Sequence, residues 1–340
     1  MNCRSQMSAR YCDASCDRPP EVLALTGFSE GDGTIDAIML PSDMLFIERG
    51  WLSSNQLLLT GQDDAVVIDS GYVSHAAQTL ALVRHALNGQ ALRGLWNTHL
   101  HSDHCGGNAA LQAAYPDMKT WIPPGLSQAV QSWDDASLTF QATGQSCPRF
   151  TFQGLLLPGT CVPAGGREWH IHAAPGHDPD AVLLFEPQSG VLLSADALWE
   201  SGFGVIFPEI LGEPGFDDVA STLDLIERLH PHVIVPGHGR VFDDVTGALR
   251  RARERLDAFR HAPLKHASHA AKVLMKFRLL EIQRCQESEL MQWAERSRYL
   301  QVLHDIHYPG VAFTDWAQQM LDGLVKSGAL IRHDRELLNA

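Results

Sequence analysis

His99-Leu100-His101-Ser102-Asp103-His104 places four metal-ligand side chains within six residues. Imidazole nitrogen is a strong donor to zinc and iron, and carboxylate oxygen completes such sites. The apolar run Leu92–Asn97 just before it reads as a strand, so the motif falls on a loop at a strand end. On such a loop His99 and His101 can converge on one ion while Asp103 and His104 turn toward a second. The chain has 17 histidines, which makes chance pairs ordinary. A chance arrangement of four ligand-type side chains at this spacing is much rarer.

Three distant segments offer further donors at strand ends. Pro175-Gly176-His177 is a turn beyond a strand, Ser194-Ala195-Asp196 follows the apolar run Val191–Leu193, and Val235-Pro236-Gly237-His238-Gly239 follows His232–Val235. A site between sheets collects donors from such places. Upstream of the motif, Ala37–Leu40, Asp43–Ile47, Gln56–Thr60 and Ala65–Ile68 are short β-branched runs punctuated by Gly, Asn and Asp, as in consecutive strands. Asp69-Ser70-Gly71 closes the last of them, and His75–Leu87 carries Ala76, Leu80, Val83 and Leu87 at helical spacing. Gly106-Gly107-Asn108 leads into a helix over Ala109–Ala114. The strand-rich second half, from Phe150 to Phe242, includes Phe152–Leu157, Glu168–Ala173, Ala181–Glu186 and Val191–Ser194. An insertion of helix or loop over Pro123–Cys147 separates the halves. The alternation predicts an α/β fold with two sheets face to face and helices outside, an αββα sandwich.

From about Val245 the texture turns helical, with Ala248–Phe259, His269–Gln283, Glu287–Ala294 and Asp315–Lys326. The last helix stops near Gly328 and an extended run follows, as in a winged-helix module. The expected organisation is a flexible tail over 1–20, a catalytic domain over 21–245 and a smaller, mainly helical, winged-helix-like domain over 246–340. No internal repeat is evident.

Composition narrows the function classes. With 340 residues, 45% hydrophobic and 19% charged, the chain can bury a large core. No run approaches the roughly 18 apolar residues of a membrane span, and residues 1–20 lack the apolar centre of an export signal, so a cytoplasmic protein without a membrane partner is expected. The seven cysteines, at 3, 12, 16, 105, 147, 161 and 285, are scattered without a CxxC pair and read as reduced thiols. Residues 244–340 hold 15 basic and 12 acidic side chains, leaving 11 basic and 28 acidic ones before them, within a total net charge of −14. An acidic region around the motif is a poor track for a polyanion, so nucleic acid is disfavoured as a partner.

Taken together, in this order and including Val67-Ile68-Asp69-Ser70-Gly71, these motifs resemble the metallo-β-lactamase superfamily over about residues 35–245. The resemblance implies that His99, His101 and His177 bind a first metal, that Asp103, His104 and His238 bind a second, and that Asp196 bridges them. Asp103 and His104 are also the implied catalytic residues, and Asp69 would orient a ligand or the loop. The implied cofactors are two divalent ions, zinc first, with iron or manganese also fitting. β-Lactamases typically place Cys, or no bridging carboxylate, where this chain has Asp196. Glyoxalase II-like hydroxyacylglutathione hydrolases, lactonases and related esterases share the Asp.

The implied chemistry is hydrolysis of a small-molecule thioester, lactone or ester by a hydroxide generated on the two ions. Cys105, beside His104, reads as a packed thiol. Trp199, Phe203, Phe207 and Phe216 could wall a substrate or pack a loop, and so could Trp121 and Trp133. No glutathione-holding pattern is matched to Lys272, Lys276 or Arg278. The alternatives are a ribonuclease of the same fold and a mononuclear-iron persulfide dioxygenase. The helical C-terminus, with apolar faces such as Leu274, Phe277 and Leu280, is expected to shape substrate access or to support a homodimer.

Overall fold

The computed structural model describes residues 40–61 and 64–340. The tail expected over 1–20 and, Leu40 apart, the strand expected over 37–40 lie outside them. The first sheet runs β1 (Met44–Ile47), β2 (Gln56–Thr60), β3 (Ala65–Ile68), β4 (Leu92–Trp96), β5 (Lys119–Ile122) and β6 (Gly154–Leu155), in that spatial order. Its first two pairings are antiparallel and the next three are parallel. The second sheet holds β7 (Cys161–Ala164), β8 (Arg167–Ala173), β9 (Val182–Glu186), β10 (Val191–Ala195) and β11 (Val233–Pro236), with spatial order β11-β10-β9-β8-β7. Only β10–β11 is parallel there.

Period-two alternation splits each central strand between two cores. Leu57, Leu59, Val66 and Ile68 face Val182, Leu184, Val191, Leu193 and Trp169 across the sandwich. Their neighbours Leu58, Ala65 and Val67 point outward against Val83 and Leu87 of α1 (Ala76–Leu87) and Leu111. The motif forms the short helix α2 (Ser102–Cys105), and Leu111 lies on α3 (Asn108–Ala114). The insertion contains α4 (Ser127–Ser132) and α5 (Asp135–Leu138), which bury Val130 and Leu138 with Leu100, Ile122 and Phe150. After β10 come α6 (Phe207–Ile210) and α7 (Phe216–Leu229), and after β11 comes α8 (Val245–His261). Leu183, Phe185, Leu192 and Ile234 point outward onto α7 and α8 through Leu223, Ile226, Leu249 and Leu256. The architecture is therefore the αββα sandwich that the sequence predicts.

Some elements differ from the reading of the sequence. The strand expected over Phe152–Leu157 pairs only at Gly154–Leu155. β7, half exposed at a sheet edge and interrupted by Pro163, carries little apolar alternation to announce it. Helix α7 has Val219, Leu223 and Ile226 buried at helical spacing within a half read as strands.

The helical C-terminal region continues with α9 (Pro263–Ile282), β12 (Arg284–Gln286), α10 (Glu287–Arg296), α11 (Arg298–His307), α12 (Phe313–Lys326), β13 (Leu330–His333) and β14 (Glu336–Asn339). The three strands form an antiparallel sheet of order β12-β14-β13. Gln286 and Glu289 close a reciprocal capping box that starts α10 one residue after β12 ends. Leu279, Leu303, Trp316, Leu321 and Leu337 form a core of this region. Val205 and Ile210 join that core from the segment after β10, and His266 Nε2 accepts the Ile206 N–H at 3.1 Å. Helix α8 instead buries its face with the sandwich.

Candidate metal centre

The donors sit past the end of β4 and on α2, past the ends of β10 and β11, or on the turn between β8 and β9, with Asp69 at the end of β3 behind them. A buried polar network fixes the motif loop. Ser70 Oγ donates to Asn108 Oδ1 at 2.7 Å, Asn108 Nδ2 to Asn97 Oδ1 at 2.7 Å, and the Ser70 N–H to the His104 carbonyl at 2.8 Å. Asp69 takes φ 60° and Ala195 φ 46°, left-handed values that cost a non-glycine residue roughly 1–2 kcal/mol. Both lie where a strand ends and a side chain must turn into the centre. Gly237 is required by close approach, because a Cβ there would stand 2.2 Å from Asp196 Oδ1.

The structure brings all seven predicted donors together in two abutting sets. His99, His101 and His177 form one, and Asp103, His104, Asp196 and His238 the other. Within each, the donor atoms lie within 4.8 Å of one another. His101 Nδ1 is 2.8 Å from His177 Nε2, and His238 Nε2 is 3.1 Å from Asp103 Oδ2. Asp196 spans the sets, with Oδ1 3.4 Å from His104 Nε2 and Oδ2 3.4 Å from His177 Nε2.

A second layer of contacts orients the rings. Asp69 Oδ2 accepts from His104 Nδ1 at 2.8 Å, and the same carboxylate accepts the Thr98 N–H at 2.9 Å and the Thr98 hydroxyl at 2.8 Å. The Val205 carbonyl holds His177 Nδ1 at 2.5 Å. Asp178 Oδ2 lies 3.5 Å from His101 Nε2. With their outer nitrogens held, the inner nitrogens are left as donors.

The electrostatics fit cations. His99 Nε2 and His104 Nε2 are buried without a hydrogen-bond partner, an expensive condition that a metal ion relieves. Burial holds His99 well below the usual imidazole range and pushes His101 and His177 down to about 4, which favours the neutral, ligating form. Burial opposes ionisation of Asp103 and Asp196, yet His104 and His238 outweigh it and keep both carboxyls below their usual range. Burial likewise disfavours a charged His104, but Asp69, Asp196 and Asp103 prevail and raise it well above the ordinary value. Asp69 holds Nδ1 while Asp103 and Asp196 lie beside Nε2, so these two carboxylates favour positive charge at Nε2, which an ion supplies in place of a proton. The donor set of imidazoles and carboxylates fits two divalent ions.

The surrounding aromatics divide. Phe207 packs on His101 and His177, with ring centroids 4.6 and 5.5 Å away, and is backed by Tyr299 at 5.9 Å. Trp199 donates from Nε1 to Asp196 Oδ1 at 3.3 Å. Phe203 and Phe216 instead pack into the core under α7 and α8. Trp121 and Trp133 are partly buried and pack against the inter-sheet core and the insertion core. Cys105 is fully buried, its thiol 3.5 Å from the Leu100 carbonyl, as a packed thiol should be. The four cysteines among the described residues are free. Two residues were not anticipated. Asp178 is buried behind His101, and Trp51, 55% exposed, stacks on His238 at 5.4 Å and 9° with the edge of Trp199 beside it.

A family model described as the metallo-beta-lactamase superfamily matches residues 49–238. Hydroxyacylglutathione hydrolase of Thermosynechococcus vestitus is 29% identical over 186 residues, 55% of this chain and 62% of that protein. The protein of the same name from Dechloromonas aromatica is 31% identical over 172 residues, 51% of this chain and 52% of that one. The chain thus spans about half the length of the curated relatives it matches. A beta-lactamase domain protein from Burkholderia ambifaria superposes with TM-score 0.54 at 18% identity, covering 89% of this chain and 94% of that one. A metallo-beta-lactamase family protein from Thermus thermophilus does so with TM-score 0.51 at 18% identity, covering 87% and 98%. These two likenesses of fold extend past the sandwich into the helical C-terminal region. With more than half of its length matched by the family model, from the loop before β2 to His238, the chain belongs to the metallo-beta-lactamase superfamily.

Proposed function

We propose that this chain is a binuclear metal-dependent hydrolase of a small-molecule thioester, lactone or ester. The observation that carries the reading is Asp196, whose two carboxylate oxygens each lie 3.4 Å from an imidazole nitrogen of a different donor set. In this reading His99, His101 and His177 hold one ion, Asp103, His104 and His238 hold the other, and Asp196 is shared. Two divalent ions, zinc first among the candidates, supply a nucleophile from water at neutral pH and positive charge for a developing oxyanion. Asp103 is the less buried of the two inner carboxylates, its side chain 14% exposed against 6% for Asp196. It would therefore be the inner carboxylate more open to an entering water. Asp69, Asp178 and the Val205 carbonyl hold the imidazoles in register, and Phe207, Trp199 and Trp51 supply an apolar wall.

The relatives named hydroxyacylglutathione hydrolase favour a thioester. Residues 263–340 would form the winged-helix-like domain. The boundary expected at 245/246 then moves past α8, because that helix buries its face with the sandwich. Docked on the segment after β10, this domain would shape access to the centre. The test is one metal-loaded preparation, wild type and His104→Ala, assayed on a panel of thioesters, lactones, esters and RNA, with metal analysis. Two ions per chain, small-molecule turnover and its loss in the variant are expected. Preferential RNA cleavage would overturn the substrate class. A single iron with oxygen consumption would overturn hydrolysis itself.

A further inference from the structure

The hairpin β7–β8 carries a second group of donor side chains that shares no residue with the centre. Strand β8 sends Trp169 and Ile171, both 0% exposed, into the core between the sheets. Strand alternation therefore puts Glu168 and His170 on its other face. The register sets Cys161 directly opposite His170 and Pro163 opposite Glu168, so the thiol faces the imidazole with the carboxylate on the diagonal. The donor atoms of Cys161, Glu168 and His170 all lie within 4.8 Å of one another, with Glu168 Oε1 3.8 Å from His170 Nε2.

We propose that Cys161, Glu168 and His170 form a separate thiolate–imidazole–carboxylate site for a borderline-soft divalent cation such as Zn2+ or Co2+. Directly opposed residues of an antiparallel pair have Cβ atoms about 4.5–5.5 Å apart. That is a spacing from which two side chains can take adjacent corners of a tetrahedron, with bonds of about 2.0–2.3 Å to the ion. His170 is paired on both sides, with Cys161 of β7 and Phe185 of β9, and Glu168 is paired with Pro163 of β7, so the backbone under both is fixed before an ion arrives. β7 is the edge strand of its sheet, and Cys161 and Glu168 are exposed, so the ion enters from solvent. Three protein donors leave a fourth position for water, which makes the ion exchangeable. Binding releases the thiol proton to solvent, so affinity rises with pH. The site is independent of the hydrolase reading.

A Co2+ titration of the full chain tests it. None of the seven donors of the main centre is sulfur, so a thiolate-to-cobalt charge-transfer band in the near ultraviolet reports this hairpin and not that centre. The expected result is a band whose amplitude at saturation corresponds to one thiolate-bound Co2+ per chain, beyond the ions taken up by the main centre, and that is lost in Cys161→Ser. In His170→Gln and Glu168→Gln the Co2+ dissociation constant read from that band rises at least tenfold, while the visible absorption of the nitrogen- and oxygen-ligated ions persists. Circular dichroism confirms that these surface variants fold. The proposal is overturned by absence of the band. It is equally overturned by a band that survives Cys161→Ser, which assigns it to another cysteine, or by unchanged affinity in His170→Gln, which reduces the site to a thiol.

Discussion

His104 Nδ1 and Asp69 Oδ2 stand 2.8 Å apart in full burial, and the carboxylate fixes the imidazole tautomer so that Nε2 faces Asp103 and Asp196. Asp69→Asn keeps the size but sets an amide N–H against a donor, either His104 or Thr98. Such outer partners typically contribute 10–100-fold in metal affinity or activity. The variant is expected to lose the ion of the Asp103–His104–His238 set on dialysis and to drop kcat/KM by a similar factor. Excess metal should restore most of the loss, as metal analysis beside steady-state kinetics will show. A loss that metal cannot restore would mean that Asp69 acts on the reaction itself.

Asp178 plays the matching part for the other set. Its Oδ2 lies 3.5 Å from His101 Nε2, its Oδ1 accepts the Asp180 N–H at 2.7 Å, and burial pushes the carboxyl up from its usual range. Asp178→Asn is expected to weaken the ion held by His99, His101 and His177 about tenfold, on the magnitude typical of such partners. Asp180→Asn, with a side chain outside the contact to His101, should leave it unchanged. Competition with a chromophoric chelator measures both. Equal effects of the two would assign the loss to the turn and not to the carboxylate.

The sequence made some of this legible and hid the rest for physical reasons. His99 to His104 could be read because four donors lie on one loop. Asp196 and His238 could be read because each follows a short apolar strand, and His177 because it sits on a Pro-Gly turn beyond a strand, which says where the side chain emerges. Asp178 could not, because its role depends on the turn between β8 and β9 folding back behind His101. Trp51 lies 187 positions from His238, and nothing local marks it as a partner of that ring. The aromatics after Asp196 were ambiguous for a related reason. Phe203 and Phe207 are four residues apart, yet one is core beneath α8 and the other lies against the histidines.

The junction of α8 and α9 gives a pH dependence separate from the centre. His266 Nε2 accepts the Ile206 N–H at 3.1 Å, and His269 Nε2 accepts from Arg255 Nη2 at 2.7 Å, so each ring is neutral in the fold. Burial, with His269, Arg255 and His307 nearby, pushes His266 down to about 3, and burial with Arg255 and Lys272 pushes His269 down to about 4. Both folded values lie below the unfolded imidazole value of 6.5, so the unfolded chain binds more protons in between. Stability is therefore full above pH 6.5 and is lost as pH falls toward 4. Between pH 6.5 and 5 the loss is about 1–2 kcal/mol per histidine. Urea melts across this range should show the slope, and His266→Gln with His269→Gln should flatten it. An unchanged slope in the double variant would place the titration elsewhere.

Trp51 offers the most direct view of the substrate. Its ring lies nearly parallel to that of His238, 9° apart in plane and 5.4 Å in centroid, with the Trp199 ring edge-on at 5.3 Å, yet 55% of the residue is exposed. A half-exposed indole contributes little to the fold, so Trp51→Ala is expected to shift the unfolding free energy by less than about 1 kcal/mol. An apolar acyl group that covers the ring would gain about 1–2 kcal/mol from the surface removed from water. In the variant KM should therefore rise roughly 5–30-fold for substrates with bulky apolar acyl groups. It should hardly move for acetyl esters, and kcat should be nearly constant for both. A fall in kcat with constant KM would instead show that Trp51 supports the His238 ring. The difference between the two acyl series is the measure of how much of the wall the substrate uses.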